Sequence, residues 1–455
     1  TYYAYNFTDP TVRSVLSMSL PLWQLSASQA SQRMARAELS SQAYVRACLE
    51  RIEAREPEVL AWAEVDAAHA IAQAKACDAG PRRSPLHGLP VGVKDVIFTR
   101  DLPTRFNSPV YPDLRSGTDA HCVAVLRALG AVILGKTSTL EFACGGALPP
   151  TRNPWDLART PGGSSSGSGA AVADGMVPLA LGTQTGGSTI RPAAFCGTFA
   201  LKPTWGRVPF DGIKGFSAHL DTVGFYGRSA EDLVLLAQAF RLVERPPQPL
   251  QRPLRLGVCR TPLWAQAEPE AAQAFEALID RLARAGMALR PVNFAEGDAD
   301  INRWQDEVMQ DGGRYAFVPE LLSAPERLHA DFKAKLDNHL GLSAAQLRQA
   351  LDRIALSRMH WETQLEGLDG VLTLSAPGVA PLGQHTQGMA TFNRMWTALQ
   401  VPCLNVPALW SDGGLPIGLQ LVHRRYEEEQ LLSCLLSLLP HLDTDRHPWS
   451  PHADH

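Results

Sequence analysis

Cysteine is scarce in this chain, and its spacing removes two classes of protein at once. Eight cysteines in 455 residues stand far apart, at Cys48, Cys77, Cys122, Cys144, Cys196, Cys259, Cys403 and Cys434. None forms a C-x-x-C pair, so a thiol redox motif and a four-cysteine zinc site are both excluded, and the number is too small for a disulfide framework. Reduced thiols and a cytoplasmic location are the expectation. The 13 histidines include no H-E-x-x-H, so no metal site is expected either. Charge of one sign is missing too: 42 basic residues face 46 acidic ones, a net charge of −4. Without a basic stripe to neutralise phosphates, nucleic acid is not an expected partner. No run approaches the ~20 apolar residues that span a bilayer, so no membrane span is expected. Residues 1–25 read as an N-terminal extension and not a signal peptide, because the weakly apolar stretch Ser14 to Trp23 has no basic segment before it.

What is present is an alternation of helical and apolar segments. Ser26 to Ala79 reads as helical, with Tyr44, Ala47, Cys48 and Ile52 at helical spacing. Gly88 to Val93 gives a buried-strand pattern that ends at Lys94 and Asp95. A helix over Ala120 to Leu129 feeds the apolar run Ala131 to Leu134. Strands follow at Leu254 to Cys259, Gly370 to Leu374 and Gly418 to Val422, with helices at Ala267 to Ala285 and Glu427 to Leu438. A polar helical region spans about 298–368. No linker interrupts the alternation, so residues 26–455 are expected to form one α/β domain.

Two familiar motifs fail on inspection. Gly130 to Thr137 matches G-x-x-x-x-G-K-[ST], but its interior is Ala, Val, Ile and Leu, a strand and not a phosphate-wrapping loop. Gly167-Ser168-Gly169 does not complete the G-x-S-x-G elbow, and no Ser–Asp–His order follows it.

The stretch Thr160 to Thr204 is dense in Gly, Ser and Thr, yet it contains the apolar pieces Ala170 to Ala173 and Val177 to Leu181. A flexible linker has no use for those pieces, so the reading is loop, helix, strand and second loop. Ser188 follows Gly186 and Gly187, a setting in which successive backbone N–H groups can converge on a reacting carbonyl. Ser164 follows Gly162 and Gly163 in the same way. A serine needs a base, and where no histidine is placed to serve, a buried lysine of lowered pKa suffices. Lys94 is the candidate.

Four segments resemble the amidase signature family. They are Pro161 to Ala173 continuing through Gly182–Ser188 to Gly197, then Leu86–Asp95, Gly130–Ala143 and Gly414–Val422. They stand in the family's order over about residues 26–438. The resemblance implies an α/β fold with a large twisted mixed β-sheet flanked by helices on both faces. It implies hydrolysis of a carboxylic amide C–N bond to acid plus ammonia or amine, without metal or cofactor. Ser188 would be the nucleophile, Ser164 the relay behind a cis peptide bond from Gly163, and Lys94 the base. The N–H groups of Thr185, Gly186, Gly187 and Ser188 would form the oxyanion hole, with Ala143, Cys144 and Ser164 at the substrate.

Two positions depart from the family pattern: Gln184 stands where Asp is common, and Arg191 is displaced by one place. Both are expected to support the triad from behind. Ser165, Ser166 and Ser168 are expected to cap the following helix, and Lys202 to sit in a structural ion pair. A catalytically dead relative is disfavoured, since all three triad residues are present. The implied partner is a small-molecule amide, with no nucleic acid and no membrane span; a homodimer is compatible. The rival reading is the glutaminase subunit of a tRNA-dependent amidotransferase, and a third is a membrane-associated lipid-amide hydrolase. Residues from about 298 to 375 and the loop Lys214 to His219 are expected to wall the acyl pocket.

Overall fold

A computed structural model describes residues 20–449, so most of the expected N-terminal extension lies outside the described residues. Among the described residues eleven strands form a single mixed sheet. In chain order they are β1 (Trp62–Val65), β2 (Pro90–Lys94), β3 (Val132–Thr137), β4 (Leu179–Gln184), β5 (Phe199–Lys202), β6 (Thr222–Gly227), β7 (Arg255–Val258), β8 (Ala288–Pro291), β9 (Gly370–Leu374), β10 (Cys403–Trp410) and β11 (Pro416–Val422). Across the sheet the order is β1-β3-β2-β4-β6-β5-β10-β11-β9-β7-β8. The expected α/β architecture is the one adopted, and the sheet draws on residues from 62 to 422.

The central strands are apolar on both faces because both faces are covered. Successive strand residues point to opposite sides. Leu372, Leu374, Leu419 and Leu421 belong to one buried cluster. Their neighbours Val371 and Val422 belong to another, with Trp361, Trp396 and Leu399. Such strands read as continuous hydrophobic runs, which is why β9 and β11 are legible in the sequence. β1 is not: three half-exposed residues and one exposed residue between long helices carry no comparable signal, and the expected helical stretch Ser26 to Ala79 is broken there.

Pairing near the middle of the sheet brings the signature segments together. β2 runs parallel to both β3 and β4, so Lys94, Thr137 and Gln184 end their strands at the same edge. Loops beyond the carboxyl ends of parallel strands are where α/β sheets place ligands. β6 returns antiparallel to β4, pairing Thr222 with Gln184, so Asp221 arrives beside Thr185.

The Gly130–Thr137 segment is indeed a strand, not a phosphate loop. Its Lys136 is fully buried and donates to Asp95 at 2.9 Å and to Thr104 Oγ1 at 2.6 Å. Asp95 therefore serves Lys136, the lysine on the neighbouring strand.

The helix Ser166–Ala173 packs against the sheet through residues too small to hold it off. A Cβ on Gly167 would fall 2.1 Å from the Ala61 carbonyl oxygen and 2.4 Å from the Ser138 nitrogen. The serines here do not cap this helix as expected. Ser165 exchanges hydrogen bonds with the Thr183 backbone, Ser166 donates to the Gly162 carbonyl, and Ser168 bonds Thr137 and the Leu181 carbonyl. They stitch the helix to β3, β4 and the preceding loop, because in a fully buried site the strand and loop carbonyls lie nearer than free helix N–H groups. The second Gly/Ser loop contains a short helix, Ile190–Cys196, which the glycine and proline content concealed.

Candidate active site

Lys94 reaches the site from the last position of β2 with no exposed surface. Its Nζ lies 2.7 Å from Ser164 Oγ and 2.8 Å from Thr183 Oγ1. No carboxylate lies within ion-pairing distance among the described residues. Burial pulls its pKa well below the ordinary lysine value, only partly opposed by the charge of Asp221 and reinforced by Arg191. A neutral amine has a lone pair to accept the Ser164 proton. Thr183 is a residue that the sequence reading missed: it is an ordinary strand threonine until the parallel pairing of β2 with β4 sets it beside Lys94.

Ser164 is joined to Gly163 by a cis peptide bond. Its carbonyl accepts from the Leu140 nitrogen at 3.1 Å and from Thr139 Oγ1 at 3.1 Å. That contact ties the loop of Ala143 and Cys144 to the relay serine, through the turn in which Ala143 N donates to Leu140 O. Phe142 and Ala143 both adopt positive φ there, at 47° and 63°. Burial pushes the Cys144 thiol pKa well up, which favours the protonated, unreactive form.

Arg191 does what its displaced position had left open. Its guanidinium donates twice to the Gly163 carbonyl, at 3.0 and 2.5 Å, and once to the Gly388 carbonyl at 2.6 Å. Burial lowers its pKa to about 10, still leaving it charged at neutral pH. Gln184 accepts from the Thr189 and Ile190 nitrogens at 2.9 and 3.0 Å, and its amide donates to Thr397 Oγ1. Thr397 in turn donates to the Gly186 carbonyl at 2.7 Å. A neutral side chain that donates and accepts suits this place better than a carboxylate, which could not donate to Thr397.

The Gly186–Gly187 pair has a different basis from the one its sequence suggests. Neither residue has positive φ. Gly187 is required by crowding, since a Cβ would sit 2.6 Å from Asn393 Oδ1 and 3.0 Å from the Ala390 Cβ. Beyond the strand, the N–H groups of Gly186, Gly187 and Ser188 have no acceptor among the described residues. Three such donors beside a hydroxyl are what a developing oxyanion needs. Ser188 itself is 9 % exposed, whereas Ser164 is 1 % exposed, so reagents meet the nucleophile candidate first.

Segments outside the signature complete the walls. Gln387 covers Gly163, and Arg394, paired with Asp306 at 2.9 Å, lies over Gly186. The helical region contributes Gln305, which donates to the Thr185 carbonyl at 2.9 Å. Gly312 packs on Phe216 and Ser217 of the Lys214–His219 loop. Lys202 departs from expectation: its Nζ donates to the Val401 and Pro203 carbonyls and has no carboxylate partner among the described residues. Glu428, the acid that bears on it, instead accepts from the Thr204 nitrogen.

The sequence model of the amidase family matches residues 43–432. The chain belongs to the amidase family. Its curated relatives include a glutamyl-tRNA(Gln) amidotransferase subunit from Roseiflexus castenholzii, 36 % identical and covering 90 % of this chain and 94 % of that one. Among solved structures, an amidase superposes with a TM-score of 0.83 at 28 % identity, covering 92 % of this chain and 100 % of the other. A protein from a vestigial complex linked to the origins of an s-triazine catabolic enzyme gives 0.82 at 26 % identity, covering 91 % and 98 %.

These relatives correct the partner expectation drawn from composition. A purely small-molecule amidase without nucleic acid conflicts with curated relatives that are subunits of a tRNA-directed amidotransferase. The error has a physical source: the −4 charge describes one chain, and says nothing of an RNA surface that a multi-subunit assembly could present elsewhere. Among the described residues no helix is long and apolar enough to cross a membrane. No cluster of three or more His, Cys, Asp or Glu is placed to hold a metal ion among them either.

Proposed function

We propose that this amidase cleaves a carboxylic amide through an acyl-enzyme on Ser188. The observation that carries the reading is the 2.7 Å contact between Lys94 and Ser164, in a site whose burial lowers the lysine pKa and so favours its neutral form. Ser188 Oγ attacks the amide carbon while its proton passes to Ser164 and the proton of Ser164 passes to Lys94. The N–H groups of residues 185–188 receive the oxyanion, each good donor lowering the barrier by ~3–4 kcal/mol. The proton returns along the same path to the leaving nitrogen, which departs as ammonia or an amine. Water then attacks the ester, releasing the acid and restoring Ser188.

The nitrogen donor favoured by the relatives is glutamine, with this chain as the glutaminase subunit of a tRNA-dependent amidotransferase. Support comes from the 36 % identity to a curated amidotransferase subunit along nearly its full length, against 28 % for the solved amidase. Gln184 and the displaced Arg191 set this chain apart from the common pattern, and they are the features that favour a stand-alone amidase. The deciding experiment measures ammonia from glutamine, and from a panel of aliphatic, aryl and urea-like amides, with mass detection of acylated Ser188. The glutaminase reading expects glutamine turnover that rises with partner subunits. Turnover of other amides with none of glutamine, even with partners, defeats it. Hydrolysis at the full rate by Ser188→Ala defeats the acyl-enzyme itself.

A further inference from the structure

Asp221 belongs to none of the signature segments, yet it touches the loop that carries the oxyanion donors. Its carboxylate accepts from Thr185 Oγ1 at 2.6 Å, and from the Phe216 and Ser217 nitrogens at 2.6 and 2.9 Å. The antiparallel pairing of Gln184 with Thr222 sets it opposite Thr185. Thr185 is thus held at both ends, its hydroxyl by Asp221 and its carbonyl by Gln305. The next carbonyl, that of Gly186, is held by Thr397. None of these contacts uses a backbone N–H of residues 185–188, so those four groups are left to meet a ligand.

The charge of Asp221 has the wrong sign to help an oxyanion. Two negative charges in a buried site repel, so any benefit to the oxyanion must come from position. Burial indeed pushes its pKa up to about 6, against the pull of Thr185 and the two backbone amides. The carboxylate is tolerated there because three donors converge on it, and charge-assisted hydrogen bonds are about twice as strong as neutral ones.

We propose that Asp221 is the positioning residue of the oxyanion loop, acting through Thr185 Oγ1 to fix the N–H groups that stabilise the tetrahedral intermediate. The proposal rests on Ser188 being the nucleophile. Its probe is an alkyl fluorophosphonate, with labelling of Ser188 followed by intact mass. In that step the Ser188 Oγ–P bond forms, the P–F bond breaks, fluoride leaves and the serine proton passes to Ser164 and Lys94. The P=O oxygen that the reagent brings occupies the oxyanion position.

Asp221→Asn and Thr185→Val are each expected to slow labelling about tenfold or more, less than outright removal of an oxyanion donor. With an accepted amide, kcat falls while KM stays within about twofold, because the interaction is made in the transition state. The double variant is expected to be no slower than the worse single one, since both cut the same link. Thr185→Ser, which keeps the hydroxyl, is expected to label within about threefold of the wild type. Wild-type labelling by a folded Asp221→Asn variant, additive losses, or a loss confined to KM would each overturn the proposal. Should Asp221→Asn fail to fold, the Thr185→Val and Thr185→Ser pair decides alone: equal rates in the two reject it. If the wild type itself is never labelled at Ser188, the fault lies in the proposed function and not in Asp221.

Discussion

Two buried lysines on adjacent strands give the sharpest test of how this site is built. Lys94 and Lys136 are both fully buried, and both lie under desolvation that lowers their pKa. Their partners differ. Lys136 faces the Asp95 carboxylate at 2.9 Å, itself 1 % exposed, while Lys94 faces only the hydroxyls of Ser164 and Thr183. Lys136→Met leaves Asp95 with a backbone hydrogen bond from Arg105 and no cation in contact. Breaking one side of a buried ion pair costs about 3–5 kcal/mol, because the stranded carboxyl must stay charged in a dry site or take up a proton. Lys94→Met strands no charge. It leaves two hydroxyls without one partner each, at most about 1–3 kcal/mol apiece, and it removes an amine whose burial was itself unfavourable. The net change in stability is therefore expected to be smaller than that of Lys136→Met. Activity should divide the opposite way. Loss of the general base costs about 10²–10⁴ in rate, whereas folded Lys136→Met should keep most of its Ser188 reactivity. Urea unfolding followed by tryptophan fluorescence, with fluorophosphonate labelling of Ser188 on the folded fraction, reads both quantities. Equal destabilisation by the two variants, or a folded Lys94→Met that labels at the wild-type rate, would refute the division of labour.

Three further outcomes follow from the same geometry. Because burial depresses the Lys94 pKa, activity should rise with pH as the amine loses its proton, and this limb should be absent from Lys94→Met. Stability should rise over the window between the depressed value and the ordinary lysine value, where the unfolded chain binds the proton that the folded one does not; urea titrations of the wild type and Lys94→Met at several pH values check the sign. Gly187→Ala should cost at least about tenfold in Ser188 labelling, since its Cβ would meet the buried Asn393 Oδ1 at 2.6 Å and push the donor loop out of place. Partial recovery in Gly187→Ala/Asn393→Ala would identify that contact as the cause.

Fold class, family and the strand that ends at Lys94 were legible in the linear chain. Central strands covered on both faces must be apolar throughout, and the two Gly/Ser loops enclose apolar pieces that a flexible linker would not need. Ser164 was preferred to its neighbours only through family register; the geometry separates them, with Ser164 on Lys94 and Ser165, Ser166 and Ser168 bonded to backbone or to Thr137. The supporting contacts came only with the folded arrangement. Thr183 becomes a partner of Lys94 through the parallel register of β2 and β4, and Asp221 reaches Thr185 through the antiparallel return of β6. Asp95 is drawn away to Lys136, and Arg191 closes on the Gly163 carbonyl. Each of these contacts joins separate segments of the chain: Arg191 and Gly163 are 28 residues apart, and Lys94 and Thr183 are 89 apart. Local periodicity reports which face of an element is buried; it carries no record of which distant side chain will be found there.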